Sequence, residues 1–178
     1  GGNMKLKISK EWAMPNKNTF TIKPIKNLIM QYVKYDKNWI DPFARDSNIA
    51  DISNDINPES KAKSHVHAVD FCTSLEGNKY NGVLFDPPYS LRQVKECYDG
   101  LGLDMSFEDS KMFPINVKNI LAPKIKPNGI AISFGWDSTG FGKGRGFEQI
   151  EILLVCHGGR HNDTIITVER KINNVLEV

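Results

Sequence analysis

In Val83-Leu84-Phe85-Asp86-Pro87-Pro88-Tyr89, an apolar run stops abruptly on an acid and two prolines. Three large apolar residues in a row, preceded by Tyr80-Asn81-Gly82, predict a buried strand over residues 80–85. Proline at 87 keeps Asp86 extended, because its ring disfavours the helical region for the residue before it. Each proline also fixes its own φ and removes a backbone donor. The strand therefore ends on a carboxylate in a backbone of little freedom. In open α/β sheets, that carboxyl end is where ligands bind.

On both sides of this stretch, strand and helix signals alternate. Residues 21–35 predict a helix opened by Pro24, with Ile25, Leu28, Ile29, Tyr32 and Val33 on one face. Before it, the chain to about Phe20 reads as polar and irregular. Trp39-Ile40 reads as a short strand ending at Asp41-Pro42. Residues 48–56 and 65–71 read as two more strands. Beyond the central motif, helices are expected over residues 91–98 and 108–124. Pro114 should start or kink the second. Pro127-Asn128-Gly129 reads as a turn, residues 130–134 as a buried strand and residues 135–146 as a glycine-rich loop. Residues 150–155 and 164–168 are β-branched strands joined through Gly158-Gly159. This order predicts an α/β fold: a mostly parallel, twisted sheet with an antiparallel edge strand and helices on both faces. Asp41, Asp55, Asp70 and Asp86 all fall near the ends of expected strands, and so on one rim.

The 178 residues suit a single domain, and 40% hydrophobic with 25% charged residues is a globular composition. Gly1-Gly2-Asn3 ahead of Met4 reads as a cloning remnant. No apolar run approaches the roughly 20 residues that span a bilayer, and no signal peptide is visible, so a cytoplasmic protein without a membrane partner is expected. Three scattered cysteines argue for reduced thiols rather than a disulfide framework. The net charge of +2 carries no general grip on nucleic acid, so a basic face would need uneven distribution.

Asp-Pro-Pro-Tyr suits one kind of chemistry. An exocyclic amine on a nucleic-acid base is a poor nucleophile, because its lone pair is delocalised into the ring. Two hydrogen-bond acceptors at fixed geometry favour its pyramidal form. Asp86 supplies a carboxylate and Pro87 a carbonyl. Pro88 holds the turn, and Tyr89 offers a face on which an extruded base stacks. The plainer reading is a turn, since Asp-Pro often begins one, but the position straight after an apolar strand favours the chemical one.

The segment resembles motif IV of the amino-methyltransferases, and in particular that of small, phage-type DNA N6-adenine methyltransferases. The resemblance extends from about Glu11 to Lys171. Residues 21–29, Thr-Ile-Lys-Pro-Ile-Lys-Asn-Leu-Ile, look like motif X, and Asp41-Pro42-Phe43-Ala44 like motif I. Asn54-Asp55-Ile56-Asn57-Pro58 looks like motif II and Val69-Asp70-Phe71 like motif III. The resemblance implies a Rossmann-like class I methyltransferase fold without a separate target-recognition domain, with S-adenosylmethionine as cofactor and DNA as partner. It implies that Asp41, Pro42, Phe43 and Ala44 line the cofactor's methionine end. Asp55 would bind ribose hydroxyls, and Asp70 the adenine amine with Phe71 alongside. Lys23 and Pro24 would close the pocket, and Asp86 would face both cofactor and substrate. Two departures stand out. Motif I usually carries a glycine-rich turn, whereas Phe43-Ala44-Arg45-Asp46 has no glycine. Asp55 also follows Asp41 too closely for the usual intervening helix.

Other signals are weaker. The loop 135–146 lacks phosphate-loop spacing, but Phe141, Lys143 and Arg145 are candidates for contact with base and phosphates, as is Arg92. His65, His67, Cys156, His157 and His161 match no paired-ligand zinc spacing, so no metal is expected. Residues 157–163 look like a shaped hairpin turn that either fixes the loop or touches substrate. Two alternatives stay open: an RNA base amino-methyltransferase acting at adenine N6 or guanine N2, and a non-catalytic cofactor-binding module. Monomer and homodimer are equally compatible with the sequence.

Overall fold

A computed structural model of the chain describes residues 5–34, 37–88, 92, 95, 98–100, 102 and 106–172. One seven-stranded sheet organises them, in the order β1-β6-β7-β5-β4-β2-β3. The strands are β1 (Lys7–Trp12), β2 (Trp39–Asp41), β3 (Ile52–Ser53), β4 (Tyr80–Phe85), β5 (Ile125–Gly135), β6 (Phe147–Cys156) and β7 (Thr164–Lys171). Every neighbouring pair is parallel except those made by β7, which runs against both β5 and β6. The sheet is therefore mostly parallel, with one reversed strand, β7, third from one edge.

Helices cover both faces. α1 (Lys23–Val33) starts with Pro24 in its first turn and buries Ile25, Leu28, Ile29 and Val33. Those residues join Leu84, Ile132, Leu153, Ile166 and Val168 of the sheet in one core. α2 (Ala68–Ser74) and α3 (Phe107–Leu121) lie on the other face. There Phe71, Cys72, Phe113, Val117 and Leu121 meet Val83, Phe85 and Ala131. Successive residues of β4 thus feed opposite cores, as the period of two requires, and the strand needs apolar residues on both faces. Gly82 is the exception. The Trp39 ring lies over it, and a Cβ there would stand 2.5 Å from ring carbons.

Several expectations are corrected. Residues 65–71 form no strand. His67 caps α2 instead, its Nδ1 accepting the Val69 N–H at 3.2 Å. Ala68, Phe71 and Cys72 are then buried at helical spacing, i, i+3, i+4. Of residues 48–56, only Ile52–Ser53 pairs in the sheet. Pro127-Asn128-Gly129 lies within β5, at the register shift opposite Tyr80 and Gly82, with Asn128 at φ 66°. It is a bulge rather than a turn between elements. The irregular N-terminal stretch contains an edge strand, β1, paired in parallel with β6. Its apolar residues, Ile8 and Trp12, share one face but are exposed and interrupted by Lys10, which hides the strand from pattern reading. Helix α3 runs through Pro114 and ends in a short 3-10 turn, Ala122–Lys124. The helix expected over residues 91–98 falls largely outside the described residues.

The link from β5 to the parallel β6 is a crossover made without a helix. Residues 136–146 cross the α3 face as a loop, with a single 3-10 turn at Lys143–Arg145. Phe141 plugs the core in its place, 5.4 Å from the Phe85 ring and 5.1 Å from that of Phe147. The buried Glu169 carboxylate accepts the N–H groups of Phe141 and Gly142 at 2.7 and 2.8 Å. Lys118 Nζ donates to the Gly140 carbonyl at 2.7 Å. Gly140 has φ 60°, and a Cβ there would collide with the Glu169 carboxylate. Gly140→Ala should therefore destabilise the protein by about 2–4 kcal/mol, from left-handed strain, overpacking and a disturbed buried carboxylate. Urea unfolding measures this, and a change under 1 kcal/mol would mean the loop is not held as described.

Candidate active site

Because all strands but β7 share one direction, their carboxyl ends converge on one rim. That rim carries Asp41 at the end of β2, Asp86 directly after β4, Trp136 after β5 and His157 after β6. A cavity of about 620 Å³ opens among them. Pro42, Phe43, Asp55, Asp86 and Pro88 line it, together with Thr19, Ile22, Arg45, Asn57, Tyr98, Trp136, His157 and His161. A second cavity of about 240 Å³ adjoins it, sharing Thr19, Phe43, Arg45 and Asp86, and adds Phe20, Lys26, Ala44 and Ile49.

The floor between the cavities is built from hydrogen-bonded backbone. Asn54 receives the Val66 N–H and donates to the Val66 carbonyl, at 3.0 and 2.9 Å. Its own backbone N–H bonds the Asp41 carbonyl, and its carbonyl accepts the Ala44 N–H. Asp55 accepts the Arg45 N–H through Oδ2 and the Asn57 N–H through Oδ1, both at 2.9 Å. This carboxylate therefore orders the loop after β2 as well as lining the cavity. Arg45 adopts φ 51°, so the turn after Phe43-Ala44 takes a left-handed residue although no glycine is present.

Asp41 has the least comfortable environment. It is fully buried, Oδ1 accepts the Phe43 N–H at 3.3 Å, and Oδ2 has no hydrogen-bond partner. Burial first, and the charge of Asp86 second, hold its carboxyl well above the usual range. A buried acid whose neutral form is favoured beside a second acid is poised to hold a cation that favours its charged form. His157 is a strut: its Nδ1 faces the Ala13 carbonyl and its Nε2 faces Thr164 Oγ1, both at 2.8 Å. Since a carbonyl only accepts, Nδ1 carries the hydrogen. Asp163 Oδ1 accepts the His157 N–H and closes the same hairpin.

The expected site residues divide into two groups. Pro42, Phe43, Ala44, Asp55, Asp86 and Pro88 come together at the cavities. Asp41 lies buried beneath them, and Pro87 is buried beside Asp86. The others lie elsewhere. Lys23 and Pro24 line a separate cavity against β1, and Ile22 and Lys26 stand where the closing residues were expected. Asp70 is exposed on the first turn of α2, because the strand that would have presented it at the rim is a helix. Phe71 belongs to the core. So does Phe141, which cannot insert beside a base. Arg145 is tied to Asn119 Oδ1 and the Phe141 carbonyl, both at 2.9 Å. Lys143 and Arg92 are exposed, away from the cavity lining. Tyr89 lies outside the described residues. Among the described residues, no group of three or more His, Cys, Asp or Glu is placed to hold a metal ion, and no helix is long and apolar enough to cross a membrane. Cys72 and Cys156 are buried free thiols.

Sequence reading missed Pro15, Asn16, Lys17, Thr19 and Trp136, which line the same cavity as Asp86, while His161 and Asn162 fall in the hairpin it offered as a candidate substrate contact. Trp136 was findable, since it follows the end of a buried strand. Pro15, Asn16 and Lys17 carry no pattern at all.

The strand order and reversed β7, with the site at the strand ends, define the Rossmann-like fold of class I methyltransferases. Solved structures agree. The N-methyltransferase NodS from Bradyrhizobium japonicum, in complex with S-adenosylhomocysteine, superposes with a TM-score of 0.55 at 9% identity, over 89% of this chain and 90% of that one. The 1,6-didemethyltoxoflavin-N1-methyltransferase of Burkholderia thailandensis gives 0.53 at 11% identity, over 85% and 78%. TrmN from Thermus thermophilus gives 0.54 at 12% identity, over 85% of this chain and 49% of that one. No family model matches the sequence, and no curated protein matches it.

Proposed function

We propose that this chain is an S-adenosylmethionine-dependent methyltransferase acting on the N6 amino group of adenine in DNA, with the base extruded into the cavity. The observation that carries the reading is the placement of Asp86-Pro87-Pro88: straight after a central parallel strand, with Asp86 and Pro88 on the cavity wall and Asp41 buried close by. Two of the similar structures hold S-adenosylhomocysteine. The residues here fit that group. The cavities offer apolar walls at Phe20, Phe43 and Ile56, Asp55 with lone pairs left for ribose hydroxyls, and an orphaned carboxyl oxygen on Asp41 that a cation would satisfy. When bound, S-adenosylmethionine supplies a methyl group already activated on a sulfonium.

The chain's own work is then to raise the acceptor's nucleophilicity and exclude water. Asp86 accepts one N–H of the amine, and the Pro87 carbonyl accepts the other. As the nitrogen becomes pyramidal and gains positive charge, the fixed carboxylate stabilises it without reorganising. The surplus proton leaves through Asp86 to solvent. Trp136, half exposed at the cavity edge, and the hairpin at His161 and Asn162 form the wall opposite. They replace the loop cations Lys143 and Arg145 as the expected substrate contacts.

Transfer of labelled methyl groups tests this, using unmethylated plasmid DNA, single-stranded DNA and RNA in parallel, with Asp86→Ala as control. The expected result is Asp86-dependent label recovered as N6-methyladenine from DNA. Label confined to RNA would move the substrate to RNA bases. Tight cofactor binding without turnover on any substrate would make the chain a binding module.

A further inference from the structure

The smaller cavity carries both signs of charge in about 240 Å³. Arg45 and Lys26 are its cations. Asp86 stands on its wall, and Asp46 is also present, though its Oδ1 already accepts the Lys61 N–H at 3.0 Å. We propose that Arg45 recognises the carboxylate of a zwitterionic amino-acid group bound here, with Lys26 as a second cation. On the cofactor reading above, on which this inference rests, that group is the methionine end of S-adenosylmethionine.

Three observations place Arg45 in this role. It lines both cavities and so stands at their junction. Its backbone is held firmly: the N–H donates to Asp55 Oδ2 at 2.9 Å, at a φ of 51° that a glycine would adopt with less strain. A non-glycine residue in left-handed backbone carries strain that a functional side chain would offset. Its guanidinium is partly oriented as well, with Nη1 donating to the Lys17 carbonyl at 2.7 Å. Among the described residues, no carboxylate forms an ion pair with it. Its remaining N–H groups therefore have the fork geometry for a carboxylate. Asp86, with Asp41 buried near it, supplies the opposite polarity. Those acids attract an ammonium and repel a carboxylate. A cavity walled by both signs of charge suits a zwitterion better than a ligand of one sign.

Calorimetry on the full chain with S-adenosylmethionine and with its decarboxylated form tests this, since the two differ only in the carboxylate. The wild type should favour the carboxylated ligand by about tenfold or more, as one charge-assisted contact predicts. Arg45→Gln and Arg45→Gly should bring that preference close to unity while leaving the decarboxylated ligand's affinity nearly unchanged. Glycine suits the φ, so the second variant guards against misfolding. Arg45→Lys should restore part of the preference. If both ligands weaken equally in the variants, Arg45 merely secures the loop at Lys17 and the inference fails. A preference that survives loss of Arg45 also overturns it, with the cofactor reading intact. A wild type that binds neither ligand overturns the cofactor reading, and this inference with it.

Discussion

Replacing Asp86 with alanine is expected to lower kcat for methyl transfer by about 10²–10³-fold, the usual cost of removing one preorganised group that stabilises developing charge. The same change should not cost stability. Asp86 is nearly buried, and its charge is one of the causes holding the Asp41 carboxyl above its normal range. Removing it relieves a like-charge conflict, so the melting temperature should hold or rise. Activity and stability then move in different directions, which a merely structural residue would not produce. Single-turnover kinetics and thermal unfolding of the same preparation measure both. A fall in activity matched by a large fall in melting temperature would assign Asp86 to the fold.

Asp41→Asn should have two opposite effects. In the free protein, burial and the neighbouring Asp86 raise the folded-state pKa of Asp41. An acid raised in this way favours folding only while protonated, and that contribution is lost as pH rises through its folded value. Asparagine stays neutral throughout. The variant should therefore be more stable than the wild type at pH 7–8, by about 1–3 kcal/mol, the scale of a poorly satisfied buried polar group. The gain should shrink as pH falls and vanish below roughly 3.9, where Asp41 is protonated in both states. Cofactor binding should go the other way. A cationic ligand favours ionised Asp41, so wild-type affinity should rise with pH and binding should release a proton, visible as a buffer-dependent calorimetric enthalpy. The asparagine variant should bind about tenfold or more weakly, with both dependences lost. A variant that is less stable at pH 8, or one whose cofactor affinity is unchanged, would remove Asp41 from this role.

Strand β4 and helix α1 were legible because each carries a strong local signal: an uninterrupted apolar run in one, an apolar face at helical spacing behind a proline in the other. Helix α2 was misread because Val66 and Ala68, two residues apart, suit a short strand, while Ala68, Phe71 and Cys72 suit a short helix. A single interaction, the cap made by His67, accompanies the helical choice. Strand β1 was invisible because its two apolar residues, Ile8 and Trp12, are exposed and separated by Lys10 among polar neighbours, and only pairing with β6 makes the segment a strand. Phe141 and Arg145 read as substrate contacts because a glycine-rich loop gives no sign of what lies beneath it. Only the missing crossover helix makes Phe141 a core residue.

Asp86-Pro87-Pro88, and the strand that ends on it, were determined by the sequence itself, because covalent geometry and local apolarity suffice to stop a strand on an acid. The same holds for the alternating order of elements that makes an α/β sheet. The tertiary structure decided what surrounds that acid. It gathered six strand ends on one rim, buried Asp41 next to Asp86, put Arg45 and Lys26 on a wall of the smaller cavity and left Asp70 in solvent. The reason is range. Backbone restriction acts over one or two residues. The desolvation and charge that set Asp41 apart arise between strands distant in sequence, and exist only once the sheet has brought them together.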